Sequence, residues 1–300
     1  MLLIKRIKKA LANHRLLGIY LLSKLAVLFP DKLYLKLMFR LKMGYWIDFD
    51  NPQTFNEKLN WLKIYNRNPE FTIMADKFLV KDYVAEKIGS QYVVPCYARY
   101  HRFEDMDFNE LPNQFAIKMT HNSSGVFIVK DKSNIDKLKL ARFIEQYFDY
   151  NYYWYLREWP YKNIFPSIIA EQLLEDKTGD VLMDYKFWCF NGVPLYMYCT
   201  VKGVKEVYEN FYDMDFAPVD INHGYPRHSP EFSKPKSFET MKELATILSQ
   251  GIPFVRVDFY EINGHPYFGE FTFYDWGGMR PFVNKQQDLE LGKLITLLDE

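Results

Sequence analysis

Phe254-Val255-Arg256-Val257-Asp258-Phe259-Tyr260, closed by Asn263-Gly264 and answered by Tyr267-Phe268-Gly269-Glu270-Phe271-Thr272, is the most informative stretch of this chain. Bulky residues on both sides of an Asn-Gly pair predict a β-hairpin, residues 254–261 against 266–272. With a period of two, Arg256 and Asp258 share one face of the first strand, and Glu270 and Thr272 share one face of the second. Paired across the turn, Asp258 and Glu270 can be neighbours. Two inward carboxylates repel and cost stability unless a proton or a divalent cation lies between them. Ligands made only of oxygen suit Mg²⁺ bound together with nucleotide phosphates. The competing reading turns both acids to solvent, and the apolar flanks argue against it.

Three further segments precede the hairpin. Residues 184–192 read Asp-Tyr-Lys-Phe-Trp-Cys-Phe-Asn-Gly, a strand in which Lys186 faces away from Tyr185 and Phe187, toward water or into a charged cleft. Residues 168–175, Ile-Ile-Ala-Glu-Gln-Leu-Leu-Glu, form an apolar strand running into acids. The backbone there can bond an adenine edge while a carboxylate takes ribose hydroxyls, or the acids are simply solvated strand ends. Phe115-Ala116-Ile117-Lys118 leads into His121-Asn122-Ser123-Ser124-Gly125. A strand-end lysine and a polar loop with free backbone N–H groups can hold phosphate, although each alone is ordinary.

Around these, periodicity predicts helices over 55–65, with Thr54 and Glu57 as a capping box, and over 69–89, 134–150, 235–250 and 286–298. Strands are predicted over 92–100, 115–119, 126–129, 167–174, 185–190, 194–200 and 210–213. Strands and helices are grouped rather than alternating, which argues an α+β fold with antiparallel sheets.

The chain has 300 residues, 48% hydrophobic and 25% charged, which excludes disorder and leaves room for a large core. Cys96, Cys189 and Cys199 form no C-x-x-C, so neither a disulfide framework nor a zinc site is expected, and Cys189 and Cys199 read as core. Net charge is zero, yet residues 1–44 hold ten Lys or Arg against Asp31 alone. The body is correspondingly acidic and has no basic stripe for nucleic acid. Apolar residues 16–29 are interrupted by Lys24, so the terminus predicts one or two basic amphipathic helices rather than a span. Such helices either cap the domain or touch an anionic membrane from the cytoplasmic side.

In this order, the four segments resemble the ATP-grasp superfamily. The phrases Thr54-Phe55-Asn56-Glu57-Lys58-Leu59-Asn60-Trp61-Leu62-Lys63, Ala75-Asp76-Lys77, Asp184-Tyr185-Lys186-Phe187 and Phe254-Val255-Arg256-Val257-Asp258 resemble the TupA-like ATP-grasp proteins of bacterial surface-polysaccharide and teichuronopeptide synthesis. The resemblance implies two α+β lobes gripping ATP between antiparallel sheets: a basic helical segment over 1–50, one lobe over 51–166 and one over 167–300. It implies Lys118 on phosphate oxygens, Ser123, Ser124 and Gly125 as a phosphate-covering loop, and an adenine hinge from Glu171 through Leu173 and Leu174. Glu175 would contact ribose. Lys186 would lie near the transferred phosphoryl group, Arg256 beside the reacting carboxylate, and Asp258, Glu270 and Thr272 around Mg²⁺. Thr272 stands where the family pattern has Asn. The implied activity is ligation of an amine to a carboxylate through an acyl phosphate, on a small-molecule or lipid-linked saccharide.

A glycosyltransferase is the alternative. Its hook is a D-x-D pair, Asp213-Met214-Asp215 or Asp105-Met106-Asp107, holding a divalent ion on a nucleotide sugar. His121 could add a phosphate contact, while His223 and His228 read as surface loop.

Overall fold

The computed structural model describes residues 14–123, 125–175, 182–202 and 207–297. Ser124 and the bases Lys5, Arg6, Lys8 and Lys9 lie outside them. The N-terminal segment forms two helices, α1 (His14–Lys24) and α2 (Asp31–Met43), folded back on each other through a 3₁₀ turn at Ala26–Leu28. On α2, Tyr34, Leu35, Met38 and Phe39 recur at helical spacing and are fully buried. The hairpin is clamped by Arg157, itself inaccessible to solvent. Its Nε lies 2.9 Å from Asp31 Oδ1, and its Nη2 donates to the Ala26 carbonyl at 2.6 Å. Asp31 also accepts from Arg67 and from the Tyr153 hydroxyl, both at 2.6 Å. Burial alone would raise the Asp31 carboxyl, but Tyr153 and Arg67 hold it below the usual carboxylate range.

Helix α3 (Phe55–Tyr65) starts with the predicted capping box. The single helix predicted over 69–89 is two, α4 (Glu70–Ala75) and α5 (Leu79–Ile88). Asp76 breaks it, because its Oδ1 accepts from the Phe78 and Leu79 N–H groups at 2.8 and 3.1 Å and starts a new turn.

Two antiparallel sheets follow. The smaller runs in the order β1 (Cys96–Tyr100), β4 (Ile168–Glu171), β2 (Phe115–Met119), β3 (Val126–Val129). Its inner face, with Phe115, Ile117, Met119, Ile168 and Ala170, packs on Leu140 and Ile144 of α6 (Lys137–Phe148). The period of two therefore sends Lys118, Val126, Ile128 and Glu171 out of the opposite face. A short helix, α7 (Tyr153–Leu156), precedes β4. The larger sheet has the order β10 (His265–Thr272), β9 (Phe254–Ile262), β5 (Asp184–Phe190), β6 (Val193–Lys202), β7 (Val207–Asp213), β8 (Pro218–Val219). Its back, with Phe187, Cys189, Met197, Val257 and Phe259, is sealed by α8 (Phe238–Ser249). Cys189 and Cys199 are core, as expected, and burial pushes each thiol up to about 12. Helix α9 (Lys285–Lys293) closes against α3.

The chain divides differently from the boundary expected near residue 166. Strand β4 belongs to the first sheet, whereas Phe55, Leu59, Leu62, Phe71 and Val84 of the helical lead-in share the core of the second. Phe71 stacks on Phe273 at 4.3 Å and Phe55 on Trp188 at 5.2 Å. His223 is not surface loop either. It is buried, with Nδ1 3.3 Å from Glu209 Oε2.

Asp31→Ala leaves the buried Arg157 without its carboxylate, an arrangement that costs about 3 kcal/mol. The variant is expected to lower the urea midpoint with an unchanged slope. An unaltered midpoint would remove the clamp from the account of the fold.

Candidate active site

The hairpin owes its chemistry to one irregularity. From the Asn263-Gly264 turn outward, Tyr267 faces Tyr260 and Phe268 faces Phe259; beyond that, Phe271 faces Val257 and Thr272 faces Arg256. Gly269 and Glu270 together therefore oppose Asp258, a β-bulge of one extra residue. Had the first register continued, Glu270 would sit opposite Val257, on the apolar back of the sheet. The bulge rotates Glu270 and Thr272 onto the face of Arg256 and Asp258. Position 269 must be small: a Cβ there would stand 3.1 Å from the Asp258 carbonyl oxygen and 3.2 Å from Tyr260.

On that face Arg256 is the hub. Its Nε and Nη2 donate to the two oxygens of Asp258, both at 2.7 Å, and Nη2 also reaches Glu270 Oε1 at 3.0 Å. Nη1 donates to Asp275 at 2.5 Å and to the Tyr198 hydroxyl at 3.1 Å. Lys186, directly opposite Asp258 on β5, lies 3.2 Å from Asp258 Oδ2 and also binds Asp184. The expected neighbours are thus brought together. Arg256 differs from its expected part: all five guanidinium donors are taken, so it positions carboxylates and has none free for a reacting oxyanion. Lys186 keeps one of its three donors.

Two cavities meet here. The first, of about 410 Å³, lies between the outer face of the small sheet and the β9–β10 edge of the large one. Val80, Val126, Ile128, Leu173, Leu174 and Leu182 line it, with Lys77, Lys81 and Lys118 among its polar groups. Ser123 and Gly125 border it as expected, Gly125 at φ +94° with Phe143 and Tyr147 against its α-carbon. Glu171 is a counter-ion: it binds Lys118 and, at 3.0 Å, Lys81. Burial alone would raise its carboxyl, but Lys118 and Lys81 hold it below the usual range. Glu175 is not on the cavity wall; it is exposed and pairs with Lys130 at 3.4 Å. His121 is buried, its Nε2 2.9 Å from the Phe148 carbonyl, and it lines neither cavity. Lys77, freed by the α4–α5 break, binds the Asn122 carbonyl, and its burial pulls the ammonium's pKa down.

The second cavity, of about 670 Å³, shares Ser123 and Glu270 with the first and is lined by Lys186, Arg256 and Thr272. Its aromatic wall comes from Tyr152, Tyr155, Tyr161, Tyr225 and Trp276. Arg280 is sandwiched there, 4.1 Å from the Tyr225 ring and 4.2 Å from the Trp276 ring, with no carboxylate within 4 Å among the described residues. Glu158 also lines this cavity, 5% exposed, its carboxylate without a hydrogen-bonding or ion-pair partner among the described residues. Burial pushes its carboxyl up and pulls Lys63, behind it, down.

The two D-x-D pairs close turns. Asp213 Oδ1 accepts from the Asp215 and Ala217 N–H groups at 3.0 and 2.8 Å. Asp107 caps Asn109 at 2.8 Å, and Asp105 pairs with Arg102.

The sequence model of one protein family, TupA-like ATPgrasp, matches residues 57–296. The chain belongs to the TupA-like ATP-grasp family. Among solved structures it is similar to D-alanine–D-alanine ligase from Bacillus anthracis, with 15% identity over 74% of this chain and 59% of that one, at a TM-score of 0.42. The Helicobacter pylori D-alanine–D-alanine ligase gives 16% identity over 80% and 69%, at 0.43. N5-carboxyaminoimidazole ribonucleotide synthetase from Thermus thermophilus gives 9% over 67% and 45%, at 0.40. The chain thus spans less than two thirds of two of these proteins, and the assignment rests on the family match. Curated protein sequences yield no match.

The cofactors of an ATP-grasp family are ATP and Mg²⁺, and the site fits both. The first cavity joins an apolar wall to three lysines. On the hairpin face, Asp184, Asp258, Glu270 and Asp275 form ion pairs with Lys186 and Arg256 among the described residues, four acids to two bases. Asp184 Oδ1, on the wall of the first cavity, is buried without a partner among the described residues. Mg²⁺ needs few protein oxygens beside phosphates and waters. Among the described residues no three acidic, His or Cys side chains are clustered to hold a metal by themselves. Beside phosphate oxygens, Asp184, Asp258 and Glu270 would be the residues to hold Mg²⁺, with Thr272 Oγ1 3.3 Å from Glu270 Oε1.

Lys118→Ala is expected to weaken binding of a non-hydrolysable ATP analogue about tenfold or more, as expected for loss of a charge-assisted phosphate contact. Titration calorimetry at unchanged melting temperature would show it; undiminished affinity would detach Lys118 from the phosphates.

Proposed function

We propose that this chain is an ATP- and Mg²⁺-dependent carboxylate–amine ligase of bacterial cell-surface polysaccharide synthesis. The observation that carries the reading is the pair of cavities meeting at Ser123 and Glu270, one suited to a nucleotide and the other to an anionic acceptor. ATP with Mg²⁺ supplies the phosphoryl group that turns a carboxylate into an acyl phosphate, from which an attacking amine displaces inorganic phosphate.

The chain's own residues hold the parts. Val126, Ile128, Leu173 and Leu174 bury the base, and Lys118 and Lys81 face the phosphates while Glu171 keeps both in place. Lys186, with one donor spare, reaches the oxygen that gains charge during transfer. Arg256 fixes Asp258 and Glu270 in register. Across the second cavity, Arg280 receives the acceptor's anionic group, and Tyr152, Tyr155 and Trp276 offer faces on which sugar rings stack. Glu158, buried and unpaired, takes a proton from the incoming amine.

The glycosyltransferase reading has less support, because Asp213 and Asp215 are spent on a turn. Calorimetry with an ATP analogue and Mg²⁺, beside UDP-sugars, separates the two readings: binding of a UDP-sugar alone would replace the ligase. In Asp258→Asn and Glu270→Gln, the Mg²⁺ dependence of nucleotide binding is expected to vanish. Asp258→Asn should also lower the melting temperature, because it takes a counter-charge from buried Arg256 and Lys186, whereas the partly exposed Glu270→Gln should change it little. Retained dependence in both would overturn the metal site. Glu158→Gln should leave ATP affinity intact and slow amine-dependent ADP release at least about a hundredfold.

A further inference from the structure

Packing explains only one side of the N-terminal hairpin. Leu22 and Ala26 are buried against the body, but Tyr20, Leu21, Leu25, Val27, Leu28 and Leu33 point outward, from 47% exposed at Leu33 to 71% at Leu28. They are contiguous along the end of α1, the 3₁₀ turn and the start of α2, so a helix pair that merely caps the domain leaves them without purpose. Lys24, Lys36 and Arg40 lie on the same hairpin, and none has a carboxylate within 4 Å among the described residues. The one acid of the hairpin, Asp31, is turned inward onto Arg157, Arg67 and Tyr153. What remains outside is apolar and positive. No helix of the described residues is long and apolar enough to cross a membrane.

The hairpin is joined to the second cavity. At the far end of α2, Lys42 lines that cavity with its Nζ 5.5 Å from the Tyr155 ring centroid. Residues 152–158 serve both sides: Tyr153 and Arg157 clamp Asp31, while Tyr152, Tyr155 and Glu158 face the cavity. At 1.5 Å per residue, α2 separates its apolar end from Lys42 by about 18 Å.

We propose that the α1–α2 hairpin is a docking face for an anionic lipid bilayer, holding the second cavity one helix length from the apolar contact. An apolar ridge flanked by unpaired cations matches the acyl boundary and the phosphate layer of such a surface. The acceptor presented there is then a lipid-borne one, a clause that rests on the ligase reading; the docking itself does not.

The full chain would be sedimented with vesicles of phosphatidylglycerol and phosphatidylcholine (3:7) and of phosphatidylcholine alone. It is expected to pellet with the anionic vesicles and to be released by 0.5 M salt. Leu21→Gln/Leu25→Gln/Leu28→Gln should bind those vesicles more than tenfold more weakly, and Lys24→Ser/Lys36→Ser about thirty-fold more weakly, a little over fivefold per charge at about 1 kcal/mol each. The leucines and Lys24 are exposed, Lys36 is half-buried, and none lines either cavity, so ATP-analogue affinity should be unchanged and reports folding independently of docking. Two results would overturn the proposal: pelleting unaffected by the leucine changes, or a chain that ignores vesicles yet is dimeric by light scattering and monomeric in the leucine variant. Failure of the ligase reading would show instead as loss of nucleotide binding with vesicle binding intact.

Discussion

The guanidinium of Arg256 holds together a charge distribution that would otherwise push itself apart. Three carboxylates, Asp258, Glu270 and Asp275, converge on it from two strands and the following loop. A buried carboxylate is tolerated only where a counter-charge and hydrogen bonds replace water. Arg256 supplies both in a fixed planar fork, and lysine could not, having no such geometry. The compensation is incomplete, since Lys186 and Arg256 face four acids. Four acids against two bases in ion-pair contact leave a negative surplus on this face.

The bulge at Gly269 decides where that charge points. A regular hairpin would have sent Glu270 into the apolar core beside α8, where an ionised carboxylate has no partner. With the extra residue, Glu270 reaches the boundary between the cavities and borders both. Glu171 plays the parallel part in the small sheet, pairing with both Lys118 and Lys81 on the wall of the first cavity.

Much of this was legible in the sequence where the signal is local. The capping box at Thr54, the Asn263-Gly264 turn, the strand-end place of Lys118 and the alternation around Lys186 all depend on neighbours within a few residues. The residues that escaped are those whose place depends on distant partners. Glu158 and Arg280 look like ordinary loop charges until Trp276, Tyr225 and Gly277 are folded around them. Asp184 reads in the sequence only as the start of a strand, because pairing with β9 is what sets it on the hairpin face. Gly269 was a visible signal for the bulge, since a glycine inside a strand commonly marks one. Asp76 was likewise visible as a helix breaker. Glu175 and His121 fail for the opposite reason: their residue types suit the chemistry, but the chain turns one to solvent and buries the other.

The second cavity connects these local facts to the N-terminal hairpin. Its aromatic wall is carried by the same turn of chain, residues 152–158, that grips Asp31. Arg157 adopts a left-handed backbone (φ 57°) that puts its side chain on the hairpin side while Glu158, next in sequence, enters the cavity. The clamp on the hairpin and the wall of the second cavity are therefore carried by one turn of chain, whereas the first cavity is built on the small sheet and α5.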